Sequence, residues 1–400
     1  MQLSRRSCVA TCLLIGLGFF ATACGSSGGG SNANSSSGGF SGTVDLGLIQ
    51  SQSGTYGYVG APAIAGLKIA MQAVNQAGGV IIDGKHEKLT ATIVDDRSDP
   101  QVSLADANQL VRDDGIKIIL GPIASAASTV VPYAAQNNIL NITPASGTGE
   151  IPGSSQAPYY FNSLNTVGNS MSAMIKAMQH AAPSAKSVAI VAPNDPVMQT
   201  LMPELSKELP AAGLRFKAFL YPAQTTDLSS VAAEIVAYHP GVVWSGDSDA
   251  ASEDAITSLA NAGLPQSVPV VAWGSSQAVL SVAKGRVVGV VSGTAFDPSV
   301  PVNSQMKALR SQLLKMIPAT EITGLVANYY QFIPVLVKAM EMANSSTNVA
   351  AISKDLTKVK PLTILGAIKV SFLPNHYFYT SVFVLQGTSP TDYQGYFVTP

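Results

Sequence analysis

The residues able to cut, transfer or ligate are few in this chain, and their spacing assembles no catalytic set. The four histidines, His86, His180, His239 and His376, are scattered. None has the paired spacing that puts two ligands for one metal on a helix face. Gly246-Asp247-Ser248-Asp249-Ala250 imitates a nucleophile elbow but ends in alanine where the sharp turn needs a second glycine. Gly147-Thr148-Gly149 begins like a dinucleotide loop, then runs into Pro152-Gly153 instead of a helix. No phosphate-cradling lysine motif occurs. Asp95, Asp96 and Asp99 cluster, and a turn followed by a helix cap accounts for them. The chain is therefore not expected to be an enzyme, and nothing in it calls for a cofactor or a metal.

The elements that must position any site follow from periodicity. Apolar, β-branched runs at 44–49, 89–94, 117–120, 139–143, 188–192, 216–221, 242–245, 268–273 and 287–294 predict strands. Amphipathic stretches lie between most of them. In 61–76 the residues Ile64, Leu67, Met71 and Val74 make one apolar helix face. Asp99-Pro100 predicts the start of the next helix, with aspartate as N-cap and proline in the first turn. Gly78-Gly79 and Gly115 end helices where a left-handed residue is needed. This alternation predicts an α/β protein of two doubly wound, parallel-sheet lobes, joined by three crossovers around a ligand cleft. The crossings are expected near Phe161, near Val290 and over 367–372, with helices 304–316 and 323–343 returning to the first lobe. The first lobe is then 43–161 with 291–367, and the second 162–290 with 368–400. Ligands sit beyond the carboxyl ends of such strands and favour domain interfaces. Trp244 and Trp273, the only two tryptophans, end consecutive second-lobe strands. They either stack on a ligand or form core beneath the cleft.

The first 42 residues have a different grammar. Arg5-Arg6, an apolar run over 9–20 and Ala21-Thr22-Ala23 make an export signal, 1–23, too short for a membrane span. Cys24 follows at once and resembles the lipidated cysteine of a bacterial lipobox, although Ala21 stands where leucine is usual. Ser4-Arg5-Arg6 leaves both the general and the twin-arginine export routes open. From Gly25 to Gly42 the chain is glycine, serine and asparagine almost throughout. Such a tract buries too little to fold and has a reach of roughly 23 Å. Residues 24–42 therefore read as an anchor and tether that hold the body outside the cytoplasmic membrane. The three cysteines, Cys8, Cys12 and Cys24, all precede the body, which excludes disulfides and thiol chemistry within it. A net charge of −1 gives no footprint for nucleic acid.

Several stretches taken in order resemble the Leu/Ile/Val-binding protein family, the type I solute-binding receptors of ABC importers. They are SGTYGYVGAPAIAGLKIAMQAVNQAGGV from Ser53, DDRSDPQVSLADANQLV from Asp95, GIKIILGPIASAAS from Gly115 and ITPASGTGEI from Ile142. The resemblance covers about 44–386. It implies a small-molecule ligand, an ABC permease as partner, a monomer and a hinge-closing cleft. A sensor presenting ligand to a membrane signalling protein is the alternative role. The resemblance also implies that Ser125 begins a helix and binds a ligand carboxylate. A helix N-terminus suits an anion, and a plain N-cap is the competing role. The backbone at Ala145 and Ser146 matches the next family contact, while the family threonine is displaced, with Gly147 in its place and Thr148 one further on. Elsewhere the pocket departs. Family aromatics map to Val59, Val197 and Leu325, with Tyr56 and Tyr58 close to the first. A family tyrosine falls at Asp247, and the ammonium-binding glutamate falls near Ser275. A desolvated ammonium needs a carboxylate, so either Asp247 or Asp249 faces inward or the ligand is not an amino acid. Members of the family often pair two cysteines whose positions here are Ser98 and Ala124.

Overall fold

The computed structural model describes residues 39–123, 126–145, 150–222, 225–246, 249–273, 282, 287–291, 295–387 and 393–400. In the first lobe, strands β1 (Gly42–Ile49), β2 (Val80–Ile82), β3 (Lys85–Val94), β4 (Ile118–Leu120), β5 (Leu140–Thr143) and β6 (Tyr160–Asn162) form one sheet in the order β2-β3-β1-β4-β5-β6. Every neighbour pair is parallel except β2 with β3. Helices α1 (Gly60–Gln76), α2 (Pro100–Arg112) and α3 (Ala127–Gln136) make the connections. Asp99 caps α2, its Oδ1 accepting from the Gln101 N–H at 2.7 Å and the Val102 N–H at 3.4 Å.

The chain then builds a second sheet. Its elements are α4 (Val167–Ala181), β7 (Ser187–Pro193), α5 (Pro196–Ala211), β8 (Arg215–Tyr221), α6 (Ser229–Tyr238), β9 (Val242–Ser245), α7 (Asp249–Asn261), β10 (Val270–Trp273) and β11 (Val287–Val291). Strand β7 is buried at all seven positions because both its faces are covered. Val188, Ile190 and Ala192 pack with Met174 and Leu205 on one side. Ala189 and Val191 pack with Ile235 and Ile256 on the other. Each of the valines, isoleucines, leucine and methionine among them contributes about 1.5–3 kcal/mol of burial, and each alanine less.

Four helices then return to the first-lobe core: α8 (Ser304–Leu313), α9 (Ala327–Tyr330), α10 (Ile333–Ala343) and α11 (Val349–Leu356). The expected helix at 323–343 is split, with a 3-10 turn at Gly324–Val326 and a break between α9 and α10. Three short antiparallel strands follow, β12 (Leu362–Ile364), β13 (Ile368–Phe372) and β14 (Phe378–Thr380). Finally β15 (Val382–Gly387) and β16 (Tyr393–Val398) complete the second sheet, ordered β16-β15-β11-β10-β9-β7-β8.

The fold is thus α/β with two wound lobes. The chain passes between them three times: from Asn162 to Val167, between Val291 and Ala295, and near Thr380. The third passage lies later than 367–372, because Ile368, Val370, Phe372 and Phe378 are buried in the first-lobe core. Phe372 stands edge-on to both Phe161 and Phe378, at centroid distances of 5.1 and 4.9 Å.

Candidate functional site

The carboxyl edge of the first sheet is organised by a buried polar chain. The Tyr329 hydroxyl donates to Gln50 Oε1 at 2.8 Å. One residue on, just past the end of β1, Ser51 Oγ donates to Asp96 Oδ1 at 2.6 Å. Ser103 Oγ donates to Asp96 Oδ2 at 3.0 Å, and the Ser98 N–H reaches Oδ1 at 2.9 Å. All of Gln50, Ser51, Asp96 and Ser103 are buried. Burial, then the charge of Asp96, pushes the Tyr329 hydroxyl well above its usual range, so it stays a donor.

The loop after β1 is stitched to the loop after β3. Asp95 accepts from the N–H groups of Gln52 and Arg97 at 2.8 and 2.9 Å, and from Ser53 Oγ at 2.8 Å. Burial pulls its carboxyl upward, but these donors outweigh it and hold it below 3.8. Asp106 moves the other way, raised by burial first and then by Asp96. Ser98, at one of the family's cysteine positions, donates to the Ser53 carbonyl and accepts from the Tyr56 N–H, both at 2.9 Å. Hydrogen bonds there restrain the loop. Gly54 sits at φ 76°, where a Cβ would overlap the Arg97 carbonyl oxygen, so only glycine lets the two loops close.

Next to this loop is a cavity of about 540 Å³, lined by Gln52, Gly57, Tyr58, Ala61, Thr320, Glu321, Thr323 and Leu325. It sits between the start of α1 and the segment ahead of α9, beside the end of β1. Tyr58 is 71% exposed there. Among the described residues no acidic or histidine side chains converge on a metal-holding arrangement.

The crossings are tied to one another by amide side chains. Gln331, fully buried, donates from Nε2 to the Ser163 carbonyl at 3.1 Å. Its Oε1 accepts from the Ala295 N–H at 3.2 Å, which joins the first and second crossings. Asn165 pairs with both backbone groups of Thr380, at 3.1 and 3.2 Å, which joins the first and third. Asn162 donates its amide to the Ala145 carbonyl, and its backbone N–H reaches the His376 carbonyl at 3.0 Å. His376 lies flat on Phe161 at 3.9 Å, with Nδ1 3.1 Å from the Tyr160 carbonyl. Burial pulls its pKa below 6.5 in spite of that hydrogen bond.

The structure separates the residues expected from sequence. Tyr58 and Leu325 share the cavity wall. Ala145 is buried, its carbonyl engaged by Asn162. Val59 is buried in the first-lobe core. Trp244 is a correction: at 0% exposure it packs in the second-lobe core, its ring close to Met198 and Gly246, beneath the cleft. Trp273 closes β10, and its side chain lies outside the described residues. Cys24, Ser125, Ser146, Thr148, Asp247 and Ser275 also lie outside them. Sequence reasoning missed Gln331, Asn165 and Glu321. All three sit in crossings or irregular segments, where no periodicity marks a residue.

A model of the periplasmic binding protein family matches residues 43–392. Leu/Ile/Val-binding protein homolog 3 of Brucella melitensis is 24% identical over 346 residues, 82% of this chain and 87% of that protein. A shorter match, 30% identical over 102 residues, is to Leu/Ile/Val-binding protein BraC3 of Rhizobium johnstonii, and spans 25% of this chain and 26% of that relative. In three dimensions a branched chain amino acid ABC transporter periplasmic ligand-binding protein from Burkholderia xenovorans superposes with a TM-score of 0.75, at 18% identity, over 90% of this chain and 96% of that one. A branched-chain amino acid transporter substrate binding protein from Streptococcus pneumoniae, in complex with isoleucine, gives a TM-score of 0.64 at 17% identity, over 90% and 100% of the two chains. A solute binding protein from R. palustris in complex with 4-hydroxybenzoate gives 0.67 at 16% identity, over 90% and 98%. Two wound lobes, three crossings and a family match across nearly the whole body converge: this chain belongs to the periplasmic binding protein family.

Proposed function

We propose that this chain is the ligand-capturing component of an ABC importer, closing two lobes on a small carboxylate-bearing molecule and presenting it to a membrane permease. The observation that carries this reading is the linkage between the lobes. Three crossings run side by side, and Gln331 and Asn165 hold them in register. Residues 43–162 with 295–378 then turn as one body against 167–291 with 382–400. Ligand docks first on the first lobe, its carboxylate on Ser125 and on the backbone at Ala145, Ser146 and Thr148, with Tyr58 beside it. Asp247, Trp273 and Ser275 meet it from the second lobe on closure. A ligand drives closure only by binding the closed form better than the open one.

The names of the relatives and the ligands of the two complexes suggest branched-chain amino acids or aromatic acids. The rest of the proposal is topological. The protein is exported, lipidated on Cys24 and tethered as a monomer outside the cytoplasmic membrane. Among the described residues no helix is long and apolar enough to cross a membrane.

A thermal-shift screen of the purified protein against amino acids, aromatic acids and other small carboxylates tests the reading. A ligand at one hundred times its dissociation constant adds about 2.7 kcal/mol of stability. A panel in which no carboxylate raises the melting temperature would sink it. Intact-mass analysis of membrane-fraction protein tests the anchor: a diacylglyceryl mass on Cys24 is expected, lost in Cys24→Ser.

A further inference from the structure

We propose that the open edge of β3 is a docking site for an extended, acidic segment of a partner protein, which adds to the first-lobe sheet as a further strand. On its inner side β3 pairs with β1 from Glu87 to Val94. On its outer side β2 covers only Lys85, His86 and Glu87. Among the described residues no other strand lies on that side. Two hydrogen bonds show which backbone groups face outward. The Leu89 N–H donates to Asn75 Oδ1 at 2.8 Å, and the Leu89 carbonyl accepts from Asn75 Nδ2 at 2.9 Å, so one side chain of α1 fills that rung. The Val94 carbonyl, of opposite parity, faces β1 and accepts from the Gln50 N–H at 3.1 Å. Alternation along the strand then turns the backbone groups of Ala91 and Ile93 outward, with no strand to meet them.

The same stretch borders a groove of about 550 Å³, between Lys68, Met71 and Gln72 of α1 and Lys88, Leu89 and Ala91 of β3. None of its lining residues belongs to the cavity beside the end of β1. Leu89 is buried, and Met71 and Ala91 pack against the first-lobe core, so the floor is apolar. The charged residues of the lining are both lysines. Lys68 and Lys88 are exposed, and among the described residues neither forms an ion pair or donates a side-chain hydrogen bond. Across the strand from Thr90, the Asp45 carboxylate is engaged by the Thr43 and Thr90 hydroxyls. Strand addition uses such an edge, with backbone hydrogen bonds for affinity and alternate side chains for specificity. An added strand here would set apolar side chains on Met71 and carboxylates beside Lys68 and Lys88. A second copy of this chain fits less well. Pairing two such edges doubles the positive charge along the seam, with no acid among the groove residues to offset it.

The probe is a fluorescein-labelled peptide of alternating glutamate and valine, about nine residues long, enough to span the open rungs. A copy with lysine for glutamate is the control. Anisotropy titrations use the purified protein, Ala91→Pro, and the double variant Lys68→Glu with Lys88→Glu. The acidic peptide should bind saturably and weaken with added salt, and the lysine copy should not bind. Ala91→Pro removes an outward N–H and leaves the ladder to β1 in place. It should weaken the acidic peptide by roughly three- to tenfold, the loss of one backbone hydrogen bond. The charge-reversed protein should lose the acidic peptide and gain the lysine copy, a swap that misfolding cannot produce. No saturable binding of the acidic peptide overturns the proposal and leaves the lysines as guards of an exposed edge. Binding that survives the charge reversal overturns it as well. Phosphatidylglycerol vesicles that bind where the peptide does not would give the surface to a membrane, and a dimer abolished by Ala91→Pro would give it to a second copy; either result contradicts the proposal.

Discussion

A serine hydroxyl and a histidine ring carry the two sharpest expectations at the scale of single residues. If Ser125 receives the ligand carboxylate, Ser125→Ala weakens an anionic ligand by about 1–3 kcal/mol, the range for a hydrogen bond to a charged group. Equal affinity in calorimetric titrations of the two proteins would remove that role. His376 makes a pH prediction. Burial depresses its pKa below 6.5, so the fold prefers the neutral ring. Its contribution is complete above 6.5 and is lost as pH falls from 6.5 toward the folded value. His376→Asn keeps a residue that tolerates φ 62° and removes the titration. Its melting temperature should therefore fall less than the wild type's on acidification below 6.5, and identical slopes would contradict this. Residue roles were the least legible part of the sequence. Trp244 ends an apolar strand in the sequence, and only the two-sided burial of the sheet shows that its ring points into the core. Glu321 stands in a short 3-10 turn, where nothing in the pattern distinguishes it from a solvated surface charge.

Among the elements, the tightest constraint is the contact of α1 with the segment entering α9. A Cβ on Gly66 would overlap the Val326 carbonyl oxygen, and that oxygen is backbone. Gly66→Ala should destabilise by about 1–3 kcal/mol through overpacking, despite alanine's better helix propensity. A variant as stable as the wild type in urea denaturation would mean that the two helices part more easily than their packing implies. The regular elements were legible because their physics is local. Runs such as 188–192 and 242–245 alternate with helical faces, and Asp99-Pro100 and Gly115 punctuate them at the positions observed. The short strands β12, β13 and β14 were not. A run such as Ile368–Phe372 announces a strand, but not which lobe will bury it. Phe161, Phe372 and Phe378 settle that by packing together, a contact between residues some two hundred positions apart. The third crossing was accordingly expected too early in the chain.

The whole molecule, in the proposed mechanism, is two bodies and a hinge. The polar chain from Tyr329 to Asp96 fixes the edge of one body, while Gln331 and Asn165 bind the crossings together. Such an arrangement favours rotation about the bundle over independent movement of each strand, because parting the crossings would leave buried amides unpaired. In the proposed mechanism ligand is then enclosed by surfaces from both lobes, and binding and closure become one event. Small-angle scattering of the purified protein, without ligand and saturated with a hit from the carboxylate screen, tests this most directly. A smaller radius of gyration is expected in the saturated protein, as the lobes close. A ligand that binds tightly and leaves the scattering curve unchanged would contradict it.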